Sequence, residues 1–240
     1  MTDSEEILGK VIKAVTDENY DEAIEYLTNF LDSNPKHANA WFMLGEIYVI
    51  QEDYPKAQVC FIKTVENNPE KSARAWIRLG DIYMEYRNFE QAIKAYTQAT
   101  EDESDNFHAW QHLGLVHVYV DKDKAIEILH KALELNPEDV LTLSSIGTLY
   151  DIQKNHDKAI EFCEKALEFE TEDLQTMRVL GTAYFRRGDR EKGIKIIRKT
   201  LEIDDSFIEG LITLGTFLNQ MGENEEADKI LKKAEILRGL

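Results

Sequence analysis

The chain has 240 residues, 43% of them hydrophobic, enough to bury a sizeable core in one or two domains or in a single elongated array. Its 46 acidic and 28 basic residues leave a formal charge of −18, which opposes non-specific binding to nucleic acid and to anionic membrane. Twelve glycines and four prolines argue against a turn-rich β fold and for mostly helical structure.

The opening MTDSEEILGK has neither the basic region nor the apolar run of an export signal, and no stretch reaches the length of a membrane span. A cytoplasmic location is therefore expected. Further along, the chain repeats itself. AWFMLGEIY (40–48), AWIRLGDIY (75–83), AWQHLGLVH (109–117), TLSSIGTLY (142–150), TMRVLGTAY (176–184) and GLITLGTFL (210–218) align without gaps. Their glycines, Gly45, Gly80, Gly114, Gly147, Gly181 and Gly215, are separated by 35, 34, 33, 34 and 34 residues.

Within each copy, apolar residues recur three and four apart through a first helix; a polar break follows, then a second periodic run. The breaks hold Asp53, Asn88, Asp123, Asn155 and Asp189, whose side chains can accept from the free amides of the next helix. Two helices per copy result. Each pair leaves apolar faces that only its neighbours can cover, which is a one-dimensional stack. Ala57, Ala92, Ala125, Ala159, Gly193 and Ala227 are expected opposite the aligned glycines, letting the paired backbones approach closely. Cys60 and Cys163 each lie inside an apolar helical pattern and read as small buried residues, not as a disulfide or a metal pair.

This pattern resembles the tetratricopeptide repeat family, whose signature runs W-x2-L-G-x2-Y, then A-x3-F, then P. In the copy at 38–72, Trp41, Leu44, Gly45, Tyr48, Tyr54, Ala57, Phe61 and Pro69 all hold signature offsets. Counting back, Ala23, Leu27 and Pro35 mark a degenerate first copy with Lys10-Val11 in place of Leu-Gly. The resemblance covers about residues 4–240 as seven repeats, at about 4–37, 38–72, 73–106, 107–139, 140–173, 174–207 and 208–240. It implies an all-α superhelix of about fourteen antiparallel helices, one solenoid domain over 1–240. An extra residue near Lys71-Ser72, Ser104 in place of proline, and the shortened VDKDKA turn are expected to bend the array locally.

The resemblance further implies that the first helices line a concave groove, with fixed positions of each repeat facing it. The partner-binding candidates are Asn39, Phe42, Met43, Arg74, Ile77, Arg78, His108, Gln111, His112 and Arg178. Glu46, Asp81, Asp151 and Arg186 fall on the same lining positions. A peptide would rest on Phe42, Met43 and Ile77 while its carboxylates take charge-assisted bonds from Arg74 and Arg78. Internal pairing of those arginines with Asp81 or Glu46 is the alternative. Chaperone adaptors of similar architecture grip a terminal carboxylate with lysine and asparagine from earlier repeats. Here Leu8, Ile12 and Met43 stand in those places and have no side-chain donor.

HAWQHLG (108–114) sets His108 and His112 four apart, the spacing of the zinc-protease motif H-E-x-x-H. Ala109 replaces the glutamate base and one helix supplies only two ligands, so hydrogen bonding is expected there and no metal. The basic stretch FRRGDREKGIKIIRK (185–199) is expected to balance Glu161, Glu164, Glu168 and Glu170 of the preceding helix, not to contact nucleic acid. No glycine-rich phosphate loop, nucleophile elbow or Cys-x-x-Cys occurs. The expectation is a non-catalytic scaffold without cofactor, binding a protein or peptide but neither nucleic acid nor membrane. A homo-oligomeric assembly protein using its end repeats is the alternative, and a metal-dependent enzyme at His108 and His112 a more distant one.

Overall fold

The computed structural model describes residues 3–68 and 72–239, with side chains from Glu6 onward. Pro69 and Lys71, the signature proline and part of the extra-residue site, lie outside the described residues. Fourteen α-helices and no strand occupy those that are described. They form seven pairs: α1 (Asp3–Thr16) with α2 (Tyr20–Ser33), α3 (Ala38–Ile50) with α4 (Tyr54–Asn67), α5 (Ala73–Glu85) with α6 (Phe89–Asp102), α7 (Phe107–His117) with α8 (Lys122–Leu135), α9 (Val140–Ile152) with α10 (His156–Phe169), α11 (Leu174–Arg187) with α12 (Arg190–Ile203), and α13 (Ile208–Met221) with α14 (Asn224–Arg238). The chain divides into two compact units, residues 1–128 and 129–240.

Helix starts follow the polar breaks, with two corrections. The side chains of Asp53, Asn88 and Asn155 accept from the amides of Lys56, Gln91 and Lys158. Asp189 caps nothing, because its carboxylate is drawn to the Arg187 guanidinium, whose Nε donates to it at 3.0 Å. Asp123 lies inside α8, and Asp121 caps instead, taking the amides of Asp123 and Lys124 at 3.1 Å.

That second shift follows from the short VDKDKA turn. Each of the six other helix-pair turns contains a residue with positive φ: Glu18, Glu52, Arg87, Lys154, Gly188 and Gly222. Between α7 and α8 the amide of Asp121 bonds the His117 carbonyl directly, at 2.7 Å, and no left-handed residue intervenes. Ser104 disturbs less than its missing proline suggests. Trp110 Nε1 donates to the Ser104 carbonyl at 2.8 Å, as Trp41 Nε1 does to that of Pro35. The loop needs a carbonyl there, and any residue supplies one.

Each unit has its own buried apolar core. In the first, Leu27, Phe30, Leu44, Phe61, Leu79, Ile82 and Tyr96 are buried. In the second, Phe185 stacks on Phe217 with ring centroids 3.8 Å apart, over Ile197, Leu214 and Leu218. Cys60 and Cys163 are free and buried, and burial pushes both thiols up to about 12.

The aligned glycines do mark close approaches, but the main neighbour differs from the expected alanine. A methyl group on Gly45 would lie 2.7 Å from the Phe61 ring, and one on Gly147 2.6 Å from Cys163 Sγ. On Gly215 it would meet Leu231 at 2.6 Å. In each case the opposing side chain is four residues beyond the small one, a helical turn further along, and fills the space the glycine leaves.

Candidate functional site

Three neighbouring first helices of the first unit carry most of the groove candidates: Asn39, Phe42 and Met43 on α3; Arg74, Ile77 and Arg78 on α5; His108, Gln111 and His112 on α7. Spacings of three and four put each set on one helix face. Two depressions open along these faces and share Phe42 and Arg74. One, of about 460 Å³, is lined by Asn39, Phe42, Met43 and Arg74 together with Glu46, Val15, Ile47 and Ile50. The other, of about 450 Å³, is lined by Phe42, Arg74, Ile77, Arg78, His108 and His112 with Asp81, Glu103 and Asn106. Eight of the ten candidates meet there. Gln111 is buried, and Arg178 belongs to the second unit, where its Nε donates to Gln175 at 3.1 Å.

The two arginines have different surroundings. Arg78 donates from Nε and Nη2 to the two oxygens of Glu46, at 2.8 and 2.9 Å, and reaches Asp81 from Nη1 at 3.4 Å. Asp81 also accepts from the Tyr96 hydroxyl at 2.9 Å and stands 3.1 Å from His112 Nδ1. Burial works to raise the Asp81 carboxyl, yet His112, Tyr96 and Arg78 together outweigh it and hold it below the ordinary carboxylate value. The bond to Glu46 raises Arg78 further. Glu46, Arg78, Asp81 and His112 thus form one continuous network of ion pairs and hydrogen bonds.

Arg74 lies outside that network. Its guanidinium carbon sits 4.8 Å from the centre of the Phe42 ring, a cation–π contact, and its side chain is exposed. No carboxylate of the described residues lies within ion-pair distance of it. The Phe42 ring is supported from below by Phe61, 5.5 Å away.

Sequence reasoning passed over Tyr96. A signal for it existed: the matching positions hold Phe61, Leu129, Cys163, Ile197 and Leu231, so Tyr96 alone adds a hydroxyl to a packing position. That hydroxyl anchors Asp81. Burial, its largest influence, raises the Tyr96 phenol above the ordinary value, so it remains a donor.

His108 is exposed, its ring edge-on to Phe107 at 5.1 Å, while His112 turns to Asp81 and packs on Tyr96. Among the described residues no group of three or more potential metal ligands occurs. The basic stretch at 185–199 is balanced locally, though by partners other than those expected. Arg187 pairs with Asp157 at 3.1 Å and Arg198 with Glu226 at 2.8 Å. Glu164 is reached through the Tyr184 hydroxyl, and Glu161 is taken by Lys165, one helical turn away on its own helix. No helix of the described residues is long and apolar enough to cross a membrane.

The profile of the cilia and flagella-associated protein 70 C-terminal domain matches residues 6–209. No curated protein sequence matches the chain. Several solved structures are similar. MamA shares 25% identity over 70% of this chain and 92% of its own, with a TM-score of 0.65. A tetratricopeptide repeat protein from Parabacteroides merdae shares 19% over 97% of this chain and 92% of its own, with a TM-score of 0.73. YrrB, described as a tetratricopeptide repeat protein with an unusual peptide-binding site, shares 20% over 79% and 97%, with a TM-score of 0.69.

Proposed function

The chain belongs to the family of the cilia and flagella-associated protein 70 C-terminal domain, with a tetratricopeptide repeat fold, and from that premise we propose that it is a non-catalytic scaffold holding an extended segment of another protein against α3, α5 and α7. The observation that carries this reading is Arg74. A guanidinium laid over a half-buried aromatic ring, without a carboxylate partner among the described residues, is preset to take one from another protein. Phe42, Met43 and Ile77 supply apolar contact beside it, and the Glu46–Arg78–Asp81–His112 network ties the surrounding helices together while using up Arg78 internally. The segment that fits has an apolar side chain next to an acidic one. YrrB supports the reading as a protein of like fold with a peptide-binding site.

The test uses Arg74→Glu and Phe42→Ala, since Arg74 makes no ion pair among the described residues and, being exposed, can be reversed without disturbing the buried core. Partners captured from cell extract by the wild-type chain are identified by mass spectrometry, and their binding segments are titrated against each variant. Loss of a charge-assisted bond of about 1.5–3 kcal/mol weakens Kd roughly ten- to a hundredfold in Arg74→Glu. Capture of the same partners with equal affinity by both variants would show that these helices are not the binding face.

A further inference from the structure

Asp151, near the end of α9, stands four residues past Gly147, where the sister repeats hold Val49, Met84, Val118, Phe185 and Asn219. It is buried as a packing residue would be, with 7% of its surface exposed. A carboxylate is a poor choice for such a place, because desolvating it opposes folding and an apolar side chain packs there without that penalty. Asp151 is held by two partners from other helices. His156 Nδ1 donates to one oxygen at 3.0 Å, and Arg186 Nη1 donates to the other. The end of α9, the first residue of α10 and the last turn of α11 are so drawn to one point.

Beside them, in the second unit, is a depression of about 600 Å³ lined by Asp151, Ile152, Lys154, His156 and Arg186. The donors around it are not used up. Among the described residues, Arg186 Nε and Nη2, the Lys154 ammonium and His156 Nε2 have no protein partner. Lys154 and Arg186 against Asp151 make the local charge +1 with His156 neutral and +2 with it protonated, on a chain of −18.

We propose that this depression binds a phosphoryl dianion, with Arg186, Lys154 and His156 as its donors and Asp151 as the residue that positions Arg186 and His156. Donors from three elements suit a tetrahedral dianion better than a planar carboxylate, which the arginine fork alone would satisfy. The group is either free phosphate or a phosphorylated side chain of a partner protein. This site does not depend on the α3–α5–α7 face, whose residues all lie in the first unit.

Lys154 offers a clean probe. Its φ is +62°, and the matching turn positions between α11 and α12 and between α13 and α14 are Gly188 and Gly222, so Lys154→Gly removes the charge and relieves the backbone. The full chain is titrated by calorimetry with inorganic phosphate, with a phosphoserine peptide and with acetate. Phosphate-bearing probes are expected to bind at least about tenfold tighter than acetate, and Lys154→Gly and Arg186→Gln each to weaken them by about tenfold or more. Asp151→Val is expected to weaken binding while raising the denaturation midpoint, a split that a purely structural carboxylate would not give. Tighter binding of the peptide identifies a modified partner as the source, and equal binding identifies free phosphate. Absence of binding by both phosphate probes, or wild-type affinity in Lys154→Gly and Arg186→Gln, overturns the proposal.

Discussion

His117 takes the position that four sister repeats give to Tyr48, Tyr83, Tyr150 and Tyr184. Tyrosine answers its own polarity there: Tyr83 bonds Gln58 and Tyr184 bonds Glu164. His117 is 5% exposed, and its Nδ1 has no hydrogen-bond partner among the described residues. Burial, then the charge of Lys124, lowers its pKa below the ordinary value. Below about 6.5 the unfolded chain gains a proton on this ring that the folded chain refuses, so the residue makes stability fall as pH falls. His117→Phe is therefore expected to raise unfolding free energy by about 1 kcal/mol at pH 8 and by more at pH 5.5, measured by urea denaturation at both values. An equal gain at both pH values would show that the ring titrates normally. The break in the tyrosine pattern was legible in the sequence; the orphaned nitrogen was not, because it depends on what neighbouring helices place around the ring.

At the scale of helices, the glycines within helices separate into two roles that composition cannot distinguish. A methyl group on Gly181 would lie 2.7 Å from Ile197 Cδ1 and 3.0 Å from the carbonyl oxygen of Gly193, whose backbone cannot step aside. Gly181→Ala is expected to destabilise by about 1–3 kcal/mol, while Gly9→Ala, with nothing within 4 Å in the middle of α1, is expected to stabilise by up to about 1 kcal/mol. Opposite shifts of the urea midpoint are the result to look for; a shared sign would remove close packing as the reason for Gly181. The existence of the glycine contact was readable from spacing. Its partner was not, since Ile197 and Ala159-type positions lie on the same helix face and only the crossing of the two helices selects between them.

Across the whole chain, a charge of −18 sets a background of self-repulsion that surface ion pairs such as Lys63–Glu66 and Lys94–Glu90 barely offset. Raising salt from about 0.05 to 0.5 M is expected to raise Tm by about 2–5 °C through screening. A fall over the same range, followed by circular dichroism, would mean that favourable pairing dominates. The sequence alone determined the fourteen helices, their pairing into seven repeats and the family, because helical periodicity and turn chemistry act over a few residues and recur along the chain. Only the tertiary structure decided that Arg78 is tied to Glu46, 32 residues away, while Arg74 lies over the Phe42 ring, and that Asp151 gathers His156 with Arg186, 35 residues on. The physical reason is register. A shift of one residue between packed helices turns a facing side chain by about 100°, so ionic partners are fixed by how the helices dock and not by the pattern within each.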